Sequence, residues 1–154
     1  MANLVHNISK GRFAEWAERS RTGADANGAI IVVPWNSTDA DNSIRDADSV
    51  AALEALGSTV EVTADAWDRK SISDGSITVT IDDPNDRIDV DIADQTWTAV
   101  GVGGGATTHL GFDYDSDTTA GTDSNILAGT WHDFAVTPDG SDVTAQIAVF
   151  YRAS

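Results

Sequence analysis

The chain has 154 residues, no Cys, and a formal charge of −16 from 25 Asp and Glu against nine Lys and Arg. That length suits one domain with a sizeable core. The lack of Cys excludes disulfides and thiolate metal sites, and the acidity sets the body against nucleic acid phosphates. No apolar run approaches the roughly 18 residues that span a bilayer, and the N-terminus shows no apolar signal core. Neither nucleic acid nor a membrane is therefore an expected partner.

The charge is uneven. Residues 1–21 hold Lys10, Arg12, Arg19 and Arg21 against Glu15 and Glu18, a net +2, so the remainder carries −18. Almost all of its acids are Asp, which suits turns and loop tips better than helix interiors.

In chain order, residues 1–23 predict an arm followed by a short helix. Ser9 is placed to cap it, Phe13, Trp16 and Ala17 share one face, and Gly23 ends it. Two readings stand side by side. The helix packs Phe13 and Trp16 on its own sheet, or Arg12, Phe13, Trp16 and Arg19 form the contact with a neighbouring subunit. On the second reading, removing residues 2–22 leaves a β-rich body that no longer attaches. The division expected is an arm and helix over 1–23 and a single β-rich domain over 24–154.

Ala29 to Val33 is apolar on both faces and predicts an interior strand stopped by Pro34. Asn36 to Asp48 predicts a polar loop, and Ser49 caps a short helix through Leu56. Thr59 to Trp67 predicts a strand with Val60 and Val62 on one side. Ile77, Val79 and Ile81, then Ile88, Val90 and Ile92, alternate with polar residues around Asp82-Asp83-Pro84-Asn85-Asp86, the pattern of a hairpin. Thr96 to Val102 and His109 to Tyr114 predict further strands, separated by Gly103-Gly104-Gly105. Ser116 to Ala128 predicts a long polar loop. Trp131 to Val136 and Val143 to Tyr151 alternate on either side of Pro138-Asp139-Gly140-Ser141. They predict a terminal hairpin whose second arm is a central strand. The fold class expected is mainly β, an antiparallel sandwich or barrel-like domain with an N-terminal helix and one short additional helix.

Candidate chemistry is thin. Asp113, Asp115 and Asp117 have the opening spacing of a calcium loop, but Thr118 stands where Gly is wanted and Ser124 where a bidentate Glu should close the shell. An incidental acidic loop is the better reading, and no metal or cofactor is expected. Gly101 to Gly105 leads into a strand rather than a helix, so it lacks the helix N-terminus of a phosphate loop. His132 and Asp133 are adjacent on a strand and point to opposite faces, which rules out a direct relay. Asp89 and Asp91 share a face, read here as the wet side of the hairpin rather than a glycosidase pair. No Gly-x-Ser-x-Gly elbow is present. An enzyme is not expected.

Three stretches carry a likeness. They are Ala2-Asn3-Leu4-Val5 through Lys10-Gly11-Arg12 with its following helix, Asn85 through Trp97, and Asp115 through Ser154 with its closing Phe150-Tyr151-Arg152-Ala153-Ser154. Together they resemble a family of small virion proteins of tailed bacteriophages, departing from it around Trp35 and at Ala93, where Pro is expected. The resemblance implies a non-enzymatic structural protein, homo-oligomeric and bound to the major capsid protein as a decoration or cement on the outer capsid surface. A tail, tail-tip or fibre component is the alternative. A host-surface glycan binder using Trp35, Trp67 or Trp97 as stacking platforms is a further one.

Overall fold

The computed structural model describes residues 3–154. In chain order its elements are β1 (Leu4–Val5), α1 (Phe13–Thr22), β2 (Ala29–Ser37), α2 (Asp41–Asp46), α3 (Val50–Glu54), β3 (Thr59–Glu61) and β4 (Lys70–Ile72). Then come β5 (Ile77–Asp82), β6 (Arg87–Ile92), β7 (Gln95–Trp97), β8 (Thr107–Asp115), β9 (Leu127–Val136), β10 (Val143–Ala145) and β11 (Tyr151–Ala153). The fold is mainly β, every ladder between these strands is antiparallel, and no sheet closes into a barrel.

The largest sheet runs β1-β9-β8-β2, with β3 and β4 sharing the far side of β2. Its two faces sort by the alternation of β2 and β8. Ile30, Val32, Leu110, Phe112 and Tyr114 enter one core with Phe13, Trp16 and Ala17 of α1 and Ile77, Val90 and Ile92 of the β5–β6 hairpin. Ile31, Val33, Trp35 and Trp131 enter the other, closed by Ile44 of α2 and by Val50 and Leu53 of α3. Burial on both faces explains why Ala29 to Val33 is apolar throughout. Two small sheets, β10-β7 and β11-β6-β5, complete the first layer.

The expected β5–β6 hairpin forms, and its register runs from Ile77 opposite Ile92 to Asp82 opposite Arg87. Elsewhere the structure corrects the pattern. β2 continues through Pro34 to Ser37. The Pro34 carbonyl accepts from Val62 N–H on the β3/β4 side, so the N–H that proline lacks also faces that side. There it falls between the last β4 partner, at Val32, and the first β3 partner, at Trp35, where no ladder bond is required.

Asp41–Asp46 is helical where a loop was expected, because Ile44 is fully buried and anchors one turn to the second core. Val60 is 63% exposed and β3 ends at Glu61, well short of Trp67. β7 likewise stops at Trp97, and Ala99 takes a positive φ of 51°.

The terminal hairpin does not form. β9 pairs with β8 and β1, whereas β10 pairs with β7 and β11 with β6. The turn is diverted at Val100, whose N–H donates to Ser141 O and whose carbonyl accepts from Gly140 N–H. The centre of the fold is therefore the β2–β8–β9 trio, not Val143 to Tyr151.

The N-terminal segment is part of the domain rather than an arm beside it. Ser9 does not cap α1; it is buried and donates to Gly129 O at 2.6 Å. Trp16 stacks on Tyr114 at 5.3 Å, and Asp25, just past α1, accepts from both Arg19 and the Tyr114 hydroxyl. With Phe13 fully buried and Trp16 2% exposed, truncation of residues 2–22 is expected to yield no cooperatively folding body, and Phe13→Ala to lose about 3–5 kcal/mol in urea denaturation.

Gly129 is a point of close approach. A Cβ there would lie 2.0 Å from Phe112 O and 2.4 Å from the Phe13 ring. Gly129→Ala is expected to destabilise by about 3 kcal/mol or to abolish folding, while Gly57→Ala, with nothing within 4 Å of the added carbon, should leave the denaturation midpoint nearly unchanged.

Candidate functional site

Asp113, Asp115 and Asp117 are not brought together as a ligand set. Asp113 is fully buried on the second face of the sheet, where its Oδ1 accepts Gly129 N–H at 3.0 Å and its Oδ2 has no partner. The bond has a local cause. Between the Phe112–Thr130 and Tyr114–Leu127 pairs, β9 carries one residue more than β8, and such a bulge strands a backbone donor that Asp113 takes up. Asp115 instead accepts Asp117 N–H, and Asp117 accepts from Thr119 and Asn27. These are turn-stabilising bonds. Among the described residues, no cluster of three or more His, Asp or Glu could hold a metal.

The histidines divide as strand alternation requires. His132 points into the first core, edge-on to Phe112 and Phe150, and burial holds its pKa down at about 4. Asp133 points the other way and meets His109 across the ladder, Nε2 to Oδ1 at 3.2 Å. His109 stacks on Trp131 at 5.1 Å, and its Nδ1 lies 2.7 Å from Thr108 Oγ1. This row of Thr, His and Asp is not a nucleophilic triad. The Thr108 hydroxyl accepts Ser37 N–H at 2.9 Å and lies against the carbonyls of Trp35 and Ser37, so it ties β8 to β2. Burial lowers the His109 pKa, with Asp133 opposing. His6 is similarly structural. Its Nδ1 donates to Ala47 O at 3.2 Å, and burial holds its pKa at about 4.

Asp89 and Asp91 do not act as a pair either. Asp89 is 9% exposed and accepts both arms of Arg152 at 2.6 and 3.0 Å, which lowers its pKa. Asp91 accepts Ile92 N–H. All five Trp are buried, so Trp35, Trp67 and Trp97 offer no stacking platform to a glycan. Trp97 and Trp67 donate to Asp68 O and Gly105 O.

The four residues expected as a subunit or capsid contact fall on two sides of the surface. Phe13 and Trp16 are withdrawn into the domain's own core. Arg12 lies over the Trp16 ring at 5.3 Å, and Arg19 pairs with Asp25 at 2.6 Å and Glu15 at 3.6 Å. The aromatic half of that set therefore has no side chain free to meet a partner in this fold.

Two features lay beyond the sequence pattern. Arg69 joins Glu61 and Asp123, each at 2.5 Å, with Glu54 at 3.7 Å, and so ties β3, α3 and the 116–126 loop together. The second is a groove of about 220 Å³ between β9 and the 146–150 segment. Its apolar wall is Leu110, Phe112, Phe134 and Phe150, and Asn3, Asp133 and Gln146 stand along it. It exists because the two arms of the expected hairpin part company, a tertiary event that alternation cannot report.

No family model, curated protein or solved structure matches this chain.

Burial makes Asp113 an unusual contributor to stability. Its pKa is pushed up to about 7 from 3.8, so the folded state holds a proton that the unfolded state releases. Its stabilising share is full below pH about 4 and is lost as pH rises through 7. His6 and His132 act in the opposite sense: their share is present above pH 6.5 and is lost as pH falls toward 4. Asp113→Asn is expected to gain on the parent protein between pH 6 and 8 by at least about 1 kcal/mol, read from urea midpoints across that range.

Proposed function

We propose that this protein is a non-enzymatic structural protein of a tailed bacteriophage virion, a decoration or cement on the outer capsid surface that works through contacts with the major capsid protein and with copies of itself. The three stretches of sequence likeness suggest the family. The observation that carries the reading is where the charge goes. Six of the nine Lys and Arg residues, namely Arg19, Arg21, Arg69, Lys70, Arg87 and Arg152, form ion pairs with acids of the same chain. The surface presented outward is thus strongly acidic, which favours the outside of a shell over its DNA-facing inside.

The polar chemistry supports the same reading. Asp113 satisfies a bulge, His109 and Thr108 brace two strands, and Asp89 holds Arg152. A protein whose ionisable groups are spent on its own fold acts through its surface. The helix α1 is not a separable anchor, so attachment on this reading uses the body of the domain.

A reconstruction of the intact particle tests the proposal. Density fitting this fold on the outer face of the capsid is the expected result. Density on the tail would replace the capsid placement with the tail alternative, and absence of the chain from purified particles would overturn the virion reading altogether.

A further inference from the structure

A small pocket of about 120 Å³ lies at the C-terminus of α1, where three distant parts of the chain meet. Ser20 belongs to the end of the helix, Ser73 and Asp74 to the connection between β4 and β5, and Thr118 to the 116–126 loop. Asn27, just before β2, stands between them.

One polar group is buried in this pocket with nothing to bond. Ser20 is 1% exposed, and among the described residues its hydroxyl has no hydrogen-bond partner. It lies on the inner face of α1, one turn beyond Trp16 and Ala17, and forms the buried end of the pocket. A buried hydroxyl left unpaired costs stability, and a ligand that takes it up accounts for its place there.

The groups around Ser20 are acceptors. The Thr118 hydroxyl donates its proton to Asn27 O at 3.1 Å, and the Asn27 amide donates to Asp117 at 3.2 Å. What remains toward a ligand is the Thr118 hydroxyl oxygen and the Asn27 side-chain oxygen. Among the described residues, the Asp74 carboxylate enters no hydrogen bond or ion pair.

The local field is negative. The end of a helix carries the negative pole of its dipole, and among the described residues no Lys or Arg lines the pocket. Arg19 is turned onto the Asp25 carboxylate, Nε to Oδ2 at 2.7 Å and Nη2 to Oδ1 at 2.6 Å, so Asp74 stays uncompensated. Oxygen lone pairs, one free carboxylate and a small volume select a hard cation. Calcium suits them, since it takes about six to eight oxygens in a flexible shell and accepts water among them.

We propose that this pocket is a calcium site, with Ser20, Asn27, Asp74 and Thr118 supplying the protein oxygens and water completing the shell. The ion clamps the end of α1 to the β4–β5 connection and to the 116–126 loop. Only one free carboxylate takes part, so half-saturation falls at roughly millimolar calcium. The site is separate from Asp113, Asp115 and Asp117, whose carboxylates do not converge. This inference stands apart from the virion reading, since it concerns an ion held within one chain.

The test uses the full-length protein, labelled with nitrogen-15 and freed of metal by EDTA, then titrated with calcium chloride at constant ionic strength. Calcium is expected to shift the amides of Gly23, Asn27, Ser73 and Asp74 first, in a saturable way, and to raise the thermal midpoint. Ser20→Ala should weaken calcium binding at least ~3-fold, while the metal-free midpoint stays level or rises because an unpaired hydroxyl is gone. Asp74→Asn should weaken it at least ~10-fold; the residue is exposed, and Asn tolerates its positive φ of 51°. If Ser20→Ala lowers the metal-free midpoint, Asp74→Asn carries the test alone. The proposal is overturned if calcium leaves these amides unmoved, if it shifts amides outside the pocket first, or if neither variant changes its affinity. It is also overturned if methylammonium chloride saturates the same amides at equal or lower concentration, because the pocket then takes an amine and not a metal ion.

Discussion

Gly129 is the residue through which the N-terminal segment and helix α1 are held to the central sheet. The extra residue in β9 turns its N–H away from the ladder, and Asp113 is buried to receive it. Its carbonyl accepts from His6 N–H and from the Ser9 hydroxyl, which fixes the N-terminal segment before α1 begins. With no side chain, it lets Phe13 pack directly on the backbone of β9. A single small residue thus couples a bulge, a buried carboxyl and the docking of a helix. The burial of Asp113 is the cost of that arrangement, and its raised pKa is the measure of it.

Around this junction the fold spends polar groups on holding loops. Arg69 draws three acids together from distant parts of the chain, Arg152 fastens β11 to Asp89, and Arg19 secures Asp25 against Tyr114. Without disulfides, a chain with short strands and long connections needs such ties, and partly buried bidentate pairs do more than exposed ones. Because cations are scarce, using them this way leaves the exterior acidic. Association then depends on apolar contact and backbone pairing, or on a partner that brings positive charge.

Much of the fold was legible in the residues. The alternation in Ile77 to Ile92 indicated a hairpin with a turn of the right composition, although Ile81 near its tip is exposed and Asp89 on the side expected to be wet is buried against Arg152. The double-sided apolar run from Ala29 to Val33 announced a strand covered on both sides, and Phe13, Trp16 and Ala17 named the buried face of α1. The candidate site was far less legible. Asp113, Asp115 and Asp117 were read as an incidental acidic loop with the opening spacing of a calcium site, and spacing alone could not show that Asp113 is buried against the Gly129 N–H. His109 and Asp133 are 24 positions apart in the chain and meet only through the β8–β9 register.

Local composition therefore determined which stretches are extended, which helix faces are dry, and that the body is acidic and free of Cys. These depend on side chains within a few residues of one another, and their physics is local. Tertiary structure alone decided which strands pair. Val143 to Tyr151 alternates as a hairpin arm should, yet it belongs to two other sheets, because Val100 captures the turn and β6 and β7 offer partners that alternation does not name. Alternation assigns each residue to a face but says nothing about which strand lies alongside, so the groove left by that choice could be found only in the folded chain.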